Sequence, residues 1–129
     1  MSIDSNLRTL TLQNPAVAAL IGSRFHLDRI PDGATYPLIR SQIITDPFDR
    51  SHSGTHGGRA RVQLDVYDDD QAAVNSAADA LTAWLDNYKG GMGSYNVTIQ
   101  VMNRPSFWEA EARLFRRVIE IDVLYFNQV

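Results

Sequence analysis

Cysteine is absent from the 129 residues, which excludes a disulfide framework, a thiolate metal site and a thiol nucleophile. Long apolar runs are missing too. The longest uninterrupted one covers residues 16–21, far short of the ~20 that a bilayer-spanning helix needs. The amino terminus has neither the basic region nor the long apolar core of a signal peptide, so a soluble, non-secreted chain with no membrane partner is expected. Nor is there an excess of positive charge: 12 basic side chains face 15 acidic ones, a net charge of −3. A chain without a basic footprint is a poor candidate for sequence-specific duplex recognition. No internal repeat and no linker divides it. With an apolar fraction of 44%, residues 1–129 read as one domain that buries roughly two-thirds of its unfolded surface.

The clearest local signal lies in residues 59–89. Val62, Leu64 and Val66 alternate with Arg61, Gln63, Asp65 and Tyr67, the period of a strand with one buried face. Asp68, Asp69 and Asp70 break the alternation. Asp68 with Gln71 three residues on fits a capping box. Val74, Ala78, Leu81, Leu85 and Tyr88 then recur at helical spacing, widened by Ala77 and Trp84. Lys89 suits the carboxyl end of that helix, and Gly90–Gly91 a left-handed stop.

Around this unit the order is simple. Ile3, Leu7 and Leu10 mark a helix over residues 2–13, and Asn14-Pro15 caps a second, short one that Gly22 ends. Residues 24–36 read as an extended arm. Ile39 and Ile43 alternate with Arg40 and Gln42 in a strand over 38–45. Residues 46–58 hold no aliphatic side chain and predict a mobile loop. Two more strands follow at 96–103 and 115–126, with residues 104–113 as their connection. The fold class is therefore α+β, a single antiparallel or mixed sheet of about four strands with helices packed on one face.

Few side chains invite chemistry. His52 and His56 stand four apart, but in a Ser/Gly loop no helix holds them on one face, so solvated histidines are the plainer account than a metal site. Capping explains Asp68–Asp70 without Mg²⁺. The segment Gly54-Thr55-His56-Gly57-Gly58 lacks the Lys-Ser/Thr end of a phosphate loop. Glu109 and Glu111 read as a solvated turn rather than an acid–base pair. Arg113, Arg116 and Arg117 form a local basic cluster that either pairs with those glutamates or meets a phosphate backbone, pairing being favoured. No catalytic residue, cofactor site or metal site is expected, and the chain reads as a non-enzyme.

The larger pattern consists of the opening helix, Asn14-Pro15-Ala16-Val17-Ala18-Ala19-Leu20-Ile21-Gly22-Ser23-Arg24, Pro31, Tyr36-Pro37-Leu38-Ile39, and the strand Ala60-Arg61-Val62-Gln63-Leu64-Asp65-Val66-Tyr67. The Ala-rich helix ending Leu85-Asp86 and then Leu114-Phe115-Arg116-Arg117 complete it. Over almost its whole length this resembles the tail completion proteins of long-tailed bacteriophages, also called tail-to-head joining or tail terminator proteins. The resemblance implies a structural protein of the virion. It implies a ring, usually a hexamer, at the head-proximal end of the tail, assembled in the host cytoplasm. Its partners would be further copies of itself, the major tail tube protein and the head connector or a head-completion protein, with DNA passing transiently through the lumen. Another neck or minor tail component of a phage or prophage is the alternative. A small ligand-binding domain, with Trp84, Trp108 and His26 around a pocket, is a remoter one.

The residue pattern adds an expectation about surfaces. If helices cover the sheet face bearing Val62, Ile99 and Ile121, the opposite face carries Tyr67, Met102, Val118, Leu124 and Phe126. That is more apolar surface than a monomer comfortably exposes, so these five are candidate subunit-interface residues. Partial cover by the arm and by Phe107–Trp108 is the competing account. Asp46, Phe48, Asp49, Arg50, His52 and His56 in the loop are candidates for lining the lumen or docking a partner.

Overall fold

A computed structural model of the chain describes residues 3–46 and 57–127. In chain order the elements are α1 (Ile3–Leu12), α2 (Pro15–Ile21), β1 (Phe25–Leu27), β2 (Leu38–Thr45), β3 (Gly57–Asp68), α3 (Gln71–Leu85), β4 (Lys89–Met92), β5 (Tyr95–Asn103), β6 (Ser106–Glu109) and β7 (Leu114–Asn127). The strands make one seven-stranded sheet in the order β1-β2-β3-β7-β5-β4, with β6 also paired to β7. Every pairing is antiparallel except β1 with β2, so the sheet is mixed.

Four strands was too few. The additional three come from segments that carry no legible alternation. β1 is three residues inside the presumed arm, anchored by buried Phe25. β4 contains Gly90 and Gly91, the presumed helix stop, and forms a hairpin with β5 through Gly93, whose φ of 62° needs no Cβ. β6 lies within the presumed connection, where all four residues are at least partly exposed. Short strands are held by their pairing rather than by an apolar face, so a period-2 search passes over them.

β7 occupies the middle of the sheet. One edge pairs with β3 over Gly57–Phe126 through Asp68–Phe115. The other is shared by β5, beside the carboxyl-terminal part, and β6, beside the amino-terminal part. All three helices pack on one face. Their buried side chains include Leu7, Leu10, Val17, Ile21, Val74, Ala78, Leu81 and Leu85, and they meet Val62, Leu64, Val66, Ile99, Ile119, Ile121 and Val123 of the sheet in one core. Trp84 donates its indole N–H to the Leu10 carbonyl at 3.0 Å, tying α3 to α1.

The helix ends follow local rules, with two shifts from expectation. Asn14 caps α2, its side chain accepting from the Val17 N–H at 3.1 Å, with Pro15 at the first helical position. The cap of α3 is Asp70, whose Oδ1 accepts from the Ala72 N–H at 3.0 Å. Asp68 is instead the last residue of β3 and accepts from the Asp69 N–H. The strand keeps pairing with Phe115 at that position, and this delays the helix. At the other end Asn87, with φ of 63°, turns the chain before Gly90 is reached.

Asp70→Ala should lower stability by about 1 kcal/mol, with Asp70→Asn close to wild type because the amide oxygen still caps. Urea denaturation followed by circular dichroism measures both.

Candidate functional site

The sheet face away from the helices carries a charged lattice in place of a second apolar layer. On β3, Asp65 is completely buried. Its Oδ2 accepts from Arg40 of β2, at 3.1 Å from Nε and 2.6 Å from Nη2. Its Oδ1 accepts from Arg116 of β7 at 3.0 Å and from Gln63 at 3.1 Å. Arg116 reaches on to Glu109 of β6, 3.0 Å away. Two guanidiniums and two carboxylates sum to no net charge, so the group can sit out of water without a stranded ion.

Register explains how four strands meet here. Arg40 stands directly opposite Asp65, Tyr67 opposite Arg116, and Phe107 opposite Arg116. Cross-strand neighbours of opposite charge attract, and aromatic rings accept cations on their faces. The Tyr67 ring lies 5.8 Å from the Arg40 guanidinium and 5.9 Å from that of Arg116, and the Phe107 ring lies 5.4 Å from the latter. Burial, then the nearby Asp65 carboxylate, pushes the Tyr67 hydroxyl above its ordinary range, so it stays a phenol. Burial opposes the charge on Arg116, but Asp65 and Glu109 outweigh it and raise its pKa.

The residues singled out from sequence land differently. Tyr67 is half-buried in the lattice. Leu124 is half-buried and Phe126 is 45% exposed at the opposite end of the face. Met102, 51% exposed, sits in a register shift between Val101 and Asn103. Val118 needs correction as a contact residue. It is only 3% exposed in the single chain, lying opposite Asp65 with its N–H bonded to the Pro105 carbonyl. The arm and β6 help to cover this region, as the competing account held: residues 30–34 and Tyr36 face Tyr67 across a shallow concavity, and Phe107 lies over Arg116. Asp46 accepts from the Tyr125 hydroxyl at 2.7 Å. Phe48, Asp49, Arg50, His52 and His56 lie outside the described residues.

The basic cluster separates. Arg116 pairs with Glu109, but Arg117 points to the other face, donating to the Arg104 carbonyl and the Asn75 side chain, and Arg113 is exposed in the turn. Adjacent strand residues face opposite ways, which dismantles the phosphate-binding reading of the trio. Trp84, Trp108 and His26 also have separate surroundings: Trp84 is bonded to α1, Trp108 stacks on Phe115 at 4.8 Å, and His26 is on β1. Among the described residues no group of three or more His, Cys, Asp or Glu side chains could hold a metal ion. The Asp65 lattice escaped sequence reading, although an acidic outward position flanked by outward arginines on neighbouring strands was its signal.

Beside the lattice three adjoining concavities, of about 420, 430 and 620 Å³, run around the 110–114 turn. Ala112 lines all three. Tyr36, Tyr67 and Leu114 are among their apolar lining, and Asp32, Asp68, Asp69, Glu109 and Glu111 are their acidic lining. Burial raises the Asp68 pKa, and the carboxylates of Asp69 and Asp70 raise it further.

Replacing Asp65 by Ala leaves two guanidiniums short of a carboxylate and should cost about 3–5 kcal/mol of unfolding free energy, read by chemical denaturation. Asp68 supplies a pH signature. Its neutral form is favoured in the folded state, so its contribution is complete below the ordinary carboxylate pKa and is lost as pH rises through the raised one. Asp68→Asn should therefore gain stability over wild type as the pH climbs through that window, with no gain in strong acid.

The comparisons with known proteins agree with this architecture. A solved chain from the virion of a native gene transfer agent particle shares the fold with a TM-score of 0.70 at 14% identity, covering 98% of this chain and 100% of that one. A second solved chain shares it with a TM-score of 0.54 at 14% identity, covering 100% and 97%. No curated protein sequence matches. The model of the family described as Tail completion protein gp17 matches residues 5–125, from the first turn of α1 into the last residues of β7, and by that match the chain belongs to this family of phage tail structural proteins.

Proposed function

We propose that the protein closes the head-proximal end of a phage tail as a ring of identical subunits. The ring terminates the tail tube and presents a docking surface to the head connector, and DNA leaves through its lumen. The family match across residues 5–125 carries this reading. A chain of the same fold within a gene transfer agent virion supports a place in the particle. The reading asks for contact surfaces rather than catalysis, and the molecule offers them. Met102, Phe107, Trp108, Phe126 and Ile44 are large apolar side chains that the single chain leaves about half exposed, and each could be covered by a neighbour. Tyr67, Met102, Leu124 and Phe126 remain the proposed interface positions, with Val118 supporting them from beneath.

The lumen is proposed to carry mixed or acidic charge, in keeping with the net charge of −3. A strongly cationic channel would retain DNA through counterion release.

Electron microscopy of particles produced without this gene tests the function. The expected result is tails of uncontrolled length, or filled heads and tails that never join, with normal virions restored by the gene in trans. Particles with finished tails of normal length joined to heads would refute it and point to another neck or minor tail component.

A further inference from the structure

The outer face of the sheet is chemically polarised from one end to the other. At the end where β3 finishes and β7 begins lies the groove around Ala112, lined by aromatic side chains and carboxylates. Among the described residues that line it, the cations are Arg113 and Arg116 against five carboxylates. Arg116 is committed to Asp65 and Glu109, which leaves Arg113 against Asp32, Asp68, Asp69 and Glu111.

The end where β3 begins and β7 finishes has the opposite character. Ile44, on the outward side of β2 at a register shift between Ile43 and Thr45, is 51% exposed. Phe126 projects from the last turns of β7 opposite Gly57, where a Cβ would come within 2.9 Å of its ring. Between them stand the exposed side chains of Arg59 and Arg61. Arg59 is bonded to Asp122 at 3.1 Å, while Arg61 extends into solvent. An arginine-bearing knob flanked by two separate apolar side chains thus lies at one end of the same strands whose other end forms a groove lined by aromatic side chains and carboxylates.

We propose that the groove around Ala112 receives the Ile44–Arg61–Phe126 knob of a second copy of this chain, so that subunits join head to tail. Ile44 and Phe126 meet the apolar lining of the groove, and the Arg61 guanidinium faces its carboxylates, exposed Glu111 among them. The two surfaces are different patches of one molecule. The contact is therefore heterologous, and repetition of a heterologous contact closes into a ring when the rotation permits. The inference rests on the ring reading above and says which ends of the fold make the ring.

The absence of cysteine makes the test clean. Thr45 is exposed at the knob and Ala112 at the groove. Thr45 lies beside Arg61, which is opposite Asp122, and from there to the start of β7 at Leu114, next to the turn holding Ala112, is eight residues of strand, or ~26 Å. A disulfide needs Cα atoms within about 7 Å, so Thr45→Cys and Ala112→Cys in one chain can join only between copies. Under mild oxidant the double variant should give a ladder of covalent oligomers ending at the ring size, with the 45–112 link identified by mass spectrometry. A mixture of the two single variants should give one 45–112 dimer and no ladder. Ala112→Trp, which fills the groove, and Arg61→Glu should keep the wild-type melting temperature but reduce ring assembly at least tenfold, with Arg61→Glu partly rescued by Glu111→Arg.

Wild-type assembly, seen by electron microscopy free and on tail tips, separates the two claims. Rings without the 45–112 link, or rings undiminished in Ala112→Trp and Arg61→Glu, overturn this contact and leave the ring reading standing. No ring under either condition overturns both.

Discussion

A buried carboxylate held between two guanidiniums governs the outer half of this molecule. Asp65 draws Arg40 from β2 and Arg116 from β7 onto β3, and Arg116 brings β6 in through Glu109. Without it, Leu38 and Val118, both buried yet outside the main core cluster, would lie beneath unpaired cations. The arrangement is not a source of stability relative to apolar packing, because desolvating these ions offsets much of their attraction. What it provides is geometry. Bidentate and cross-strand contacts admit one register of β2, β3, β6 and β7, and a slip by one residue would strand every member on the wrong face.

That geometry matters because the core decides only one side of the sheet. The helices bury Val62, Leu64, Ile119 and Ile121, which is a matter of apolar matching and tolerates rearrangement. In the proposed ring the opposite side has to remain open to other subunits while keeping its shape before they arrive. An apolar outer layer would stick to itself, and a fully solvated one would not hold the arm against Tyr67. A neutral ion lattice meets both demands: it is insoluble in neither direction and it fixes the groove wall formed by Tyr67 and Glu109.

Much of this was legible in the residues. The long strands, all three helices, the Asn14-Pro15 start and the split of β7 into a core side and an outer side follow from period and capping alone. The three short strands did not show, since Phe25–Leu27, Lys89–Met92 and Ser106–Glu109 owe their conformation to neighbours distant in sequence. The cap of α3 moved from Asp68 to Asp70 because three consecutive aspartates leave the choice to the strand before them. Val118 was misassigned to the exposed layer for a related reason: alternation tells which face a residue is on, but not what lies over it. The Asp65 lattice needs the pairing of β2, β3 and β7 to be known before its charges can be added. The family resemblance was legible as order and spacing over the whole chain, and the match over residues 5–125 rests on the same distributed pattern.

A fold shared at 14% identity with a virion chain rests on a packing scheme that many sequences satisfy, and the fold alone does not say where contacts lie. Contact residues in such a protein should therefore be sought where local rules are broken without benefit to the monomer. Ile44 and Met102 are two such places. Each sits at a register shift in its strand, and each leaves about half of an apolar side chain in water. Alternation already places both outward, and the shift interrupts the pairing of the strand beside them. Phe126, at the same end as Ile44, adds a third apolar group to that side. The opposite end shows the converse, a concavity lined by aromatic side chains, with more carboxylates than cations. On the proposed head-to-tail contact, each end of the subunit supplies half of the interface, and a chain of such subunits leaves two ends unmet until it closes.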